Sequence, residues 1–245
     1  VYAGAGNDFI EGGLGDDTLL GDEGDDVLRG DRGDDSLYGG VGNDTLFGVT
    51  GNDLVEGGAG DDNLHGNAGN DTILGGVGND VIYGGNQNDL VNGDEGNDLL
   101  LGGNGNDTLF GGVGDDTLIG DDNDDLLSGG DGDDRVNGGI GNDTLTGGAG
   151  VDTLMGDADV DIIYGGAGDM IDGGEAGNDY DTLDLTGAGP LHIIYDPTNP
   201  ENGTVQFLDA DRNITSTLNF INIENVIPCF TPGTLIATPR GEVPV

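Results

Sequence analysis

From Ile10 onward an aliphatic residue returns at every ninth position, and what lies between is mostly glycine, asparagine and aspartate. In a frame opening at Ala3, the eighth position is Ile, Leu or Val in all eighteen uninterrupted nonapeptides, from Ile10, Leu19 and Leu28 to Leu145, Leu154 and Ile163. The sixth position is Asp in all eighteen; the first is Gly in seventeen and the fourth in fifteen. A strict period of this kind predicts a stacked repeat, because each copy is too small to bury its own apolar residue and must lean on its neighbours. Within a copy, the aliphatic and its two flanking residues predict a short strand. Alternation sends the eighth side chain inward and the seventh and ninth outward. The glycine-rich remainder predicts a turn.

Composition adds a constraint that the pattern alone does not show. The 245 residues include 54 glycines, 5% aromatics, no tryptophan, and 49 acidic residues against five basic ones, for a net charge of −44. All five are arginines: Arg29, Arg32, Arg135, Arg212 and Arg240. Such a chain repels itself and carries little apolar material to oppose that repulsion, so a cationic partner has to offset the charge. Nucleic acid and anionic membrane surfaces are excluded as partners, since no basic stripe exists to release counterions. No apolar run approaches the roughly 20 residues of a membrane-spanning helix, and the first residues are not expected to act as a signal peptide. The one cysteine, Cys229, cannot form an internal disulfide, which leaves a metal as the available staple.

The turn chemistry points to the kind of metal. Glycines at positions one, two and four allow positive φ and close backbone approach, so that the turn is lined by carbonyl oxygens. Asp at position six adds a hard anionic oxygen, and a flexible all-oxygen cage suits calcium better than magnesium or zinc. A disordered glycine-rich linker would not need a fixed aliphatic and a fixed Asp in every copy. An EF-hand array would need flanking helices and a Glu at position twelve of each loop, for which the spacing leaves no room.

The pattern GGxGxDxUx, seen for example in GGVGNDTLF at residues 39–47, resembles the repeats-in-toxin (RTX) calcium-binding nonapeptide family over residues 1 to about 183. That resemblance implies an all-β, right-handed parallel β-roll, a β-solenoid in which two nonapeptides make one coil and eighteen copies make nine coils. It implies calcium ligation by the sixth-position residues Asp8, Asp17, Asp26, Asp35, Asp44, Asp53, Asp62, Asp71, Asp80, Asp89, Asp98, Asp107, Asp116, Asp125, Asp134, Asp143, Asp152 and Asp161, and by Asp169 and Asp179 in the less regular copies that follow. With one ion between like turns of successive coils, two edges of the regular array hold about sixteen Ca2+.

Position four departs from glycine at Gln87, Asn123 and Asp159, all on one edge, and position five is Asn or Asp until Val151 and Val160. After Tyr164 the frame slips, GGAGDMID (165–172) being one residue short and GGEAGNDYDTLDL (173–185) longer, so the array is expected to end here. Residues 186–228 alternate apolar and polar positions between Pro, Asn and Gly turns, and are expected to form a β cap over the last open edge. His192 belongs to a strand of that cap; His65, at an outward ninth position, is expected to be solvated. Val1 and Tyr2 fit the end of a preceding copy, so a longer array is expected upstream.

From Cys229 the chain reads CFTPGTLIATPRGEVPV, and CFTPGTLI resembles the opening of Hint domains, the hedgehog and intein autoprocessing fold. By that resemblance residues 229–245 begin a Hint-like domain, and Cys229 is the candidate nucleophile of an N-to-S acyl shift. The downstream Thr and His motif of such domains is missing, so these residues alone are expected to be inert. No HExxH helix or GxSxG elbow is present. The expected function is an exported calcium-binding β-roll, disordered in the cytosol and folded outside at the roughly 10⁻⁴ to 10⁻³ M affinity of extracellular calcium modules. It would act as a structural spacer or scaffold and not as an enzyme. The alternatives are part of a self-cleaving precursor, or an adhesive or ice-binding solenoid, which the irregular third position (Ala5, Leu14, Glu23, Arg32, Val41, Thr50) disfavours. The outward residues Val81, Tyr83, Leu99, Leu101 and Ile119 are expected to merge into one apolar patch suited to lateral association of copies.

Overall fold

A computed structural model describes residues 1–174, 180–186, 188, 191–209, 211–228, 235–238 and 241–244, the last two stretches as backbone only. All described secondary structure is β. Two sheets, of 12 and 15 strands, stand opposite one another, and consecutive strands of the array alternate between them. Each pair of nonapeptides therefore makes one coil, depositing one strand in each sheet. Neighbours within a sheet are parallel and one coil apart: Ile82 lies between Leu64 and Leu100, and Val91 between Ile73 and Leu109.

The strands are longer than the three residues the pattern suggests. Val81–Asn86 and its equivalents run six residues, from position seven of one copy to position three of the next. Burial alternates along them, so two positions face inward: the aliphatic at eight and the glycine at one. A Cβ on Gly75 would lie 2.3 Å from Asp80 Oδ2 and 2.6 Å from the Gly93 carbonyl of the next coil, which is why the inward residue beside the turn has no side chain. The following residue turns the chain at positive φ, 115° at Gly76, and Asn67 and Asp94 adopt the same conformation at 74°. Val49 does so at 90°, a region β-branched side chains avoid, and is locally strained.

The core is two facing rows of aliphatics, from Ile10 and Leu19 to Leu154 and Ile163, all but Ile10 at 0–1% exposure. With one such residue per nine, the apolar contribution to stability is thin.

The roll does not stop at Tyr164. The short copy still supplies the strand Met170–Asp172, with Ile171 beside Leu154, and the long copy supplies Thr182–Leu185, with Leu183 beside Ile163. The length change is absorbed in the turns, because a strand added in any other register would point its aliphatic away from the core. The solenoid thus has about ten turns, one irregular coil more than the nine expected. Beyond it, Ile214–Ile221 pairs in parallel with Met170–Asp172. It continues antiparallel into Gly203–Leu208 and then Leu191–Tyr195, with Tyr195 edge-on to Phe220 at 5.9 Å. His192 sits in that sheet, half-buried, with Nδ1 3.1 Å from Gln206 Oε1. His65 is not merely solvated: its ring is stacked between Phe47 and Tyr83, 4.8 Å from each.

Candidate metal centre

The turn at Asp80 shows how the repeat builds a site. Asp80 Oδ1 accepts the backbone N–H of Asp62, one coil earlier, at 2.8 Å, and the N–H of Asp80 is in turn donated to Asp98 Oδ1 at 2.8 Å. This ladder repeats without interruption along both edges from Asp26 to Asp161, at 2.7–3.0 Å. One carboxylate oxygen of each Asp is thereby tied to its neighbour and the side chain is locked in one rotamer. The other oxygen is left over. In the seventeen Asp residues from Asp17 to Asp161 at nine-residue spacing, Oδ2 is buried and has no hydrogen-bond partner.

An anionic oxygen in that position carries its full desolvation cost unless a cation or a proton compensates it. Each Oδ2 is directed over the side-chain-free first glycine of its own copy, and at thirteen of these seventeen glycines the first glycine carbonyl of the next coil converges there too. A Cβ there would meet both oxygens, at 2.3 and 2.6 Å on Gly93 and at 2.3 and 2.4 Å on Gly120. Glycine at position one therefore clears a slot between coils walled by oxygen. Among the described residues no three metal-binding side chains cluster. A cation held here would be offered one carboxylate per turn and backbone carbonyls beside it, a hard, flexible oxygen set that suits calcium.

The electrostatics agree with the geometry. Burial pushes the carboxyl of Asp62 up to about 7 and those of Asp89, Asp125 and Asp161 up to about 8. The hydrogen bond from the preceding Asp N–H pulls in the opposite direction but does not win, and the neighbouring carboxylates of the same column add to the rise. Without a cation, these groups hold protons near neutral pH. A divalent ion held in the slot would take the place of those protons.

The ends of the columns differ. Asp8 is only half-buried. Asp169 Oδ1 keeps the ladder bond from Asp152 at 3.0 Å, but its Oδ2 accepts the N–H of Gly166, so the shortened copy closes its own turn. Asp179 lies outside the described residues. The rung opposite Asp161 is Asp181, fully buried, whose Oδ1 accepts the Asp161 N–H at 2.9 Å and whose own N–H goes to Glu224 Oε2 of the cap at 2.8 Å. The signal for Asp181 was present: it precedes Thr182 and Leu183 just as every sixth-position Asp precedes its outward and inward strand residues. Cys229 and most of the residues that follow it also lie outside the described residues.

Position five has a role that its sequence did not announce. Asp61 Oδ1 accepts the Asn79 N–H at 2.8 Å, and Asn79 Oδ1 accepts the Asn97 N–H at 2.9 Å, forming an outer ladder that runs opposite to the inner one. Val151 and Val160 still donate backward, to Asp133 and Asn142, but offer no acceptor forward. The outer ladder thus ends at the two copies after which the frame breaks. Gln87, Asn123 and Asp159 take the left-handed conformation of the glycine they replace, with φ of 70°, 83° and 80°.

A parallel β-solenoid with a row of buried, cation-seeking carboxylates along each edge defines a metal-binding repeat protein. The family described as RTX calcium-binding nonapeptide repeat (4 copies) matches ten overlapping windows, 1–28, 20–55, 38–73, 47–82, 56–91, 65–100, 83–118, 101–136, 110–145 and 137–169. Together they cover residues 1–169 without a gap, and the chain belongs to this family. No curated protein matches it.

Proposed function

We propose that this calcium-binding β-roll is folded by its calcium, is exported, and serves outside the cell as a structural spacer or scaffold. The observation that carries the reading is the uninterrupted row of buried Oδ2 atoms with no partner. A fold that depended only on its thin core would not retain seventeen such groups, whereas a fold that forms around cations needs them. One ion between like turns of successive coils gives about sixteen over the regular array. Their charge cancels most of the −44. Affinities of about 10⁻⁴ to 10⁻³ M would leave the chain unfolded where calcium is scarce and folded where it is abundant, so that export and folding follow the calcium gradient. The test is a calcium titration followed by far-ultraviolet circular dichroism, with magnesium as control. The β signal is expected to appear cooperatively with calcium and not with magnesium at equal concentration. An unchanged β signal in chelator at neutral pH would refute it. Copies associate through the Val81, Tyr83, Leu99, Leu101 and Ile119 face once calcium has folded them.

A further inference from the structure

Both sheets present outer faces with few charges, Glu56 being the one charged residue in the two outward columns of the smaller sheet over the regular array, but among the described residues the larger sheet alone carries a ladder of stacked rings. Its seventh-position column runs from Phe9 through Val81 and Leu99 to Thr153, and its ninth-position column from Glu11 through Tyr83 and Leu101 to Met155, each in continuous parallel register. In those two columns stand one carboxylate, Glu11, and two arginines, Arg29 and Arg135, although the chain carries 49 acidic residues. The acids are concentrated on the edges instead. At the centre of the face, the stacked rings of Phe47, His65 and Tyr83 continue into Leu101 and Ile119, with Val81 and Leu99 alongside. Apart from Tyr83 these side chains are half-buried by packing on one another, so the patch is a continuous ridge and not a scatter of single residues.

We propose that this face is the contact surface for a second copy of the same chain, seated antiparallel and face to face. The strip is straight and repeats at the coil spacing of about 4.8 Å, a period that another copy reproduces rung for rung. A two-fold axis between the His65 and Tyr83 rungs sets ring against ring at the centre. It also places Glu11 of one copy within diagonal reach of Arg135 of the other, twice by symmetry. Nine rungs make a strip roughly 40 Å long and about 10 Å wide, or about 400 Å² on each copy. That is the size of a weak, reversible interface rather than an obligate one. Two chains of charge −44 cannot approach through their edges until cations neutralise them, so association requires calcium. In this one respect the proposal rests on the calcium-folded reading.

The test is sedimentation equilibrium of the full chain in saturating calcium over a concentration series reaching the millimolar range, with circular dichroism on the same samples. The weight-average mass is expected to climb from 24.7 kDa toward twice that value as concentration rises. Leu101→Glu, at the centre of the ridge, is expected to weaken association at least tenfold. Phe110→Glu, outward on the opposite sheet, is expected to leave it unchanged. The β signal should be retained in both variants, since both positions face solvent. A monomeric wild type with a full β signal would overturn the dimer and spare the calcium reading. Equal loss in both variants, or loss only with Phe110→Glu, would overturn the assigned face. Absence of the β signal in calcium would overturn the calcium reading itself.

Discussion

Replacing Asp80 with asparagine should stabilise the metal-free roll and destabilise the calcium-loaded one, a reversal of sign that follows from the two unequal oxygens of this carboxylate. Asparagine keeps an acceptor for the Asp62 N–H, which Asp80 Oδ1 receives at 2.8 Å. It puts a neutral NH₂ group where the buried, unpartnered Oδ2 stands, on the same side of Gly75 as the Gly93 carbonyl. Burial first, then Asp98 and Asp61, raise the Asp80 carboxyl from 3.8 to about 6. At about 1.4 kcal/mol per unit, ionising it in the folded, metal-free chain costs at most about 3 kcal/mol. Water near the edge lowers that, and we expect a gain of roughly 1–2 kcal/mol for Asp80→Asn at about pH 6. A folded pKa above the unfolded one means that the penalty is absent below about pH 4 and complete above about pH 6, so the difference from wild type should open across that window. In calcium the variant lacks one anionic ligand, and the coils on either side of residue 80 should lose affinity at least tenfold. Urea unfolding followed by circular dichroism, in calcium-depleted buffers from pH 4 to 6, where protonated columns keep β structure, and again in saturating calcium, measures both effects. Destabilisation of equal size in both conditions would show that Oδ2 is an ordinary structural acceptor and refute the reasoning.

The same linkage applies to the whole array. Asp53, Asp71, Asp107, Asp143 and Asp152 are pushed to about 6 and Asp116 to about 7, so the metal-free chain should hold its β signal best at about pH 4 and lose it progressively as pH rises from there to about 7. Calcium affinity should move the other way, weakening as pH falls through that range, which pH-dependent calorimetry will show. Gly75→Ala forces a methyl group to within 2.3 Å of Asp80 Oδ2 and 2.6 Å of the Gly93 carbonyl, and should cost about 2–4 kcal/mol. Hydrogen exchange should place that loss in the adjoining coils and leave distant ones protected. In a chain extended downstream by a complete Hint-like domain, cleavage is expected between Pro228 and Cys229 and should be abolished by Cys229→Ala. Mass spectrometry of the products decides it, and an intact extended chain that contains cysteine would assign Cys229 a structural role.

The period of nine, the inward aliphatic and the sixth-position Asp determined the coil, its core and its ion, because each copy must satisfy the same constraint and a repeated constraint is legible in one chain. Two inward positions, not one, were needed to see why strands run six residues: glycine at position one reads as a flexible turn residue in sequence. Only the stacked coils show that a Cβ on Gly75 would occupy the space shared by Asp80 Oδ2 and the next carbonyl. The outer ladder at position five was invisible for a similar reason, since its partners are eighteen residues apart and its purpose appears only where Val160 ends it. The choice of Asp181 as the last rung was decided by register: a strand added to a sheet must present Leu183 to Ile163, and the carboxylate that precedes it then falls in line. Local chemistry selected the ligand type and the spacing. Which oxygen is bonded, which is left over, and how two rows of outward side chains become one continuous apolar ridge are properties of one coil lying on another.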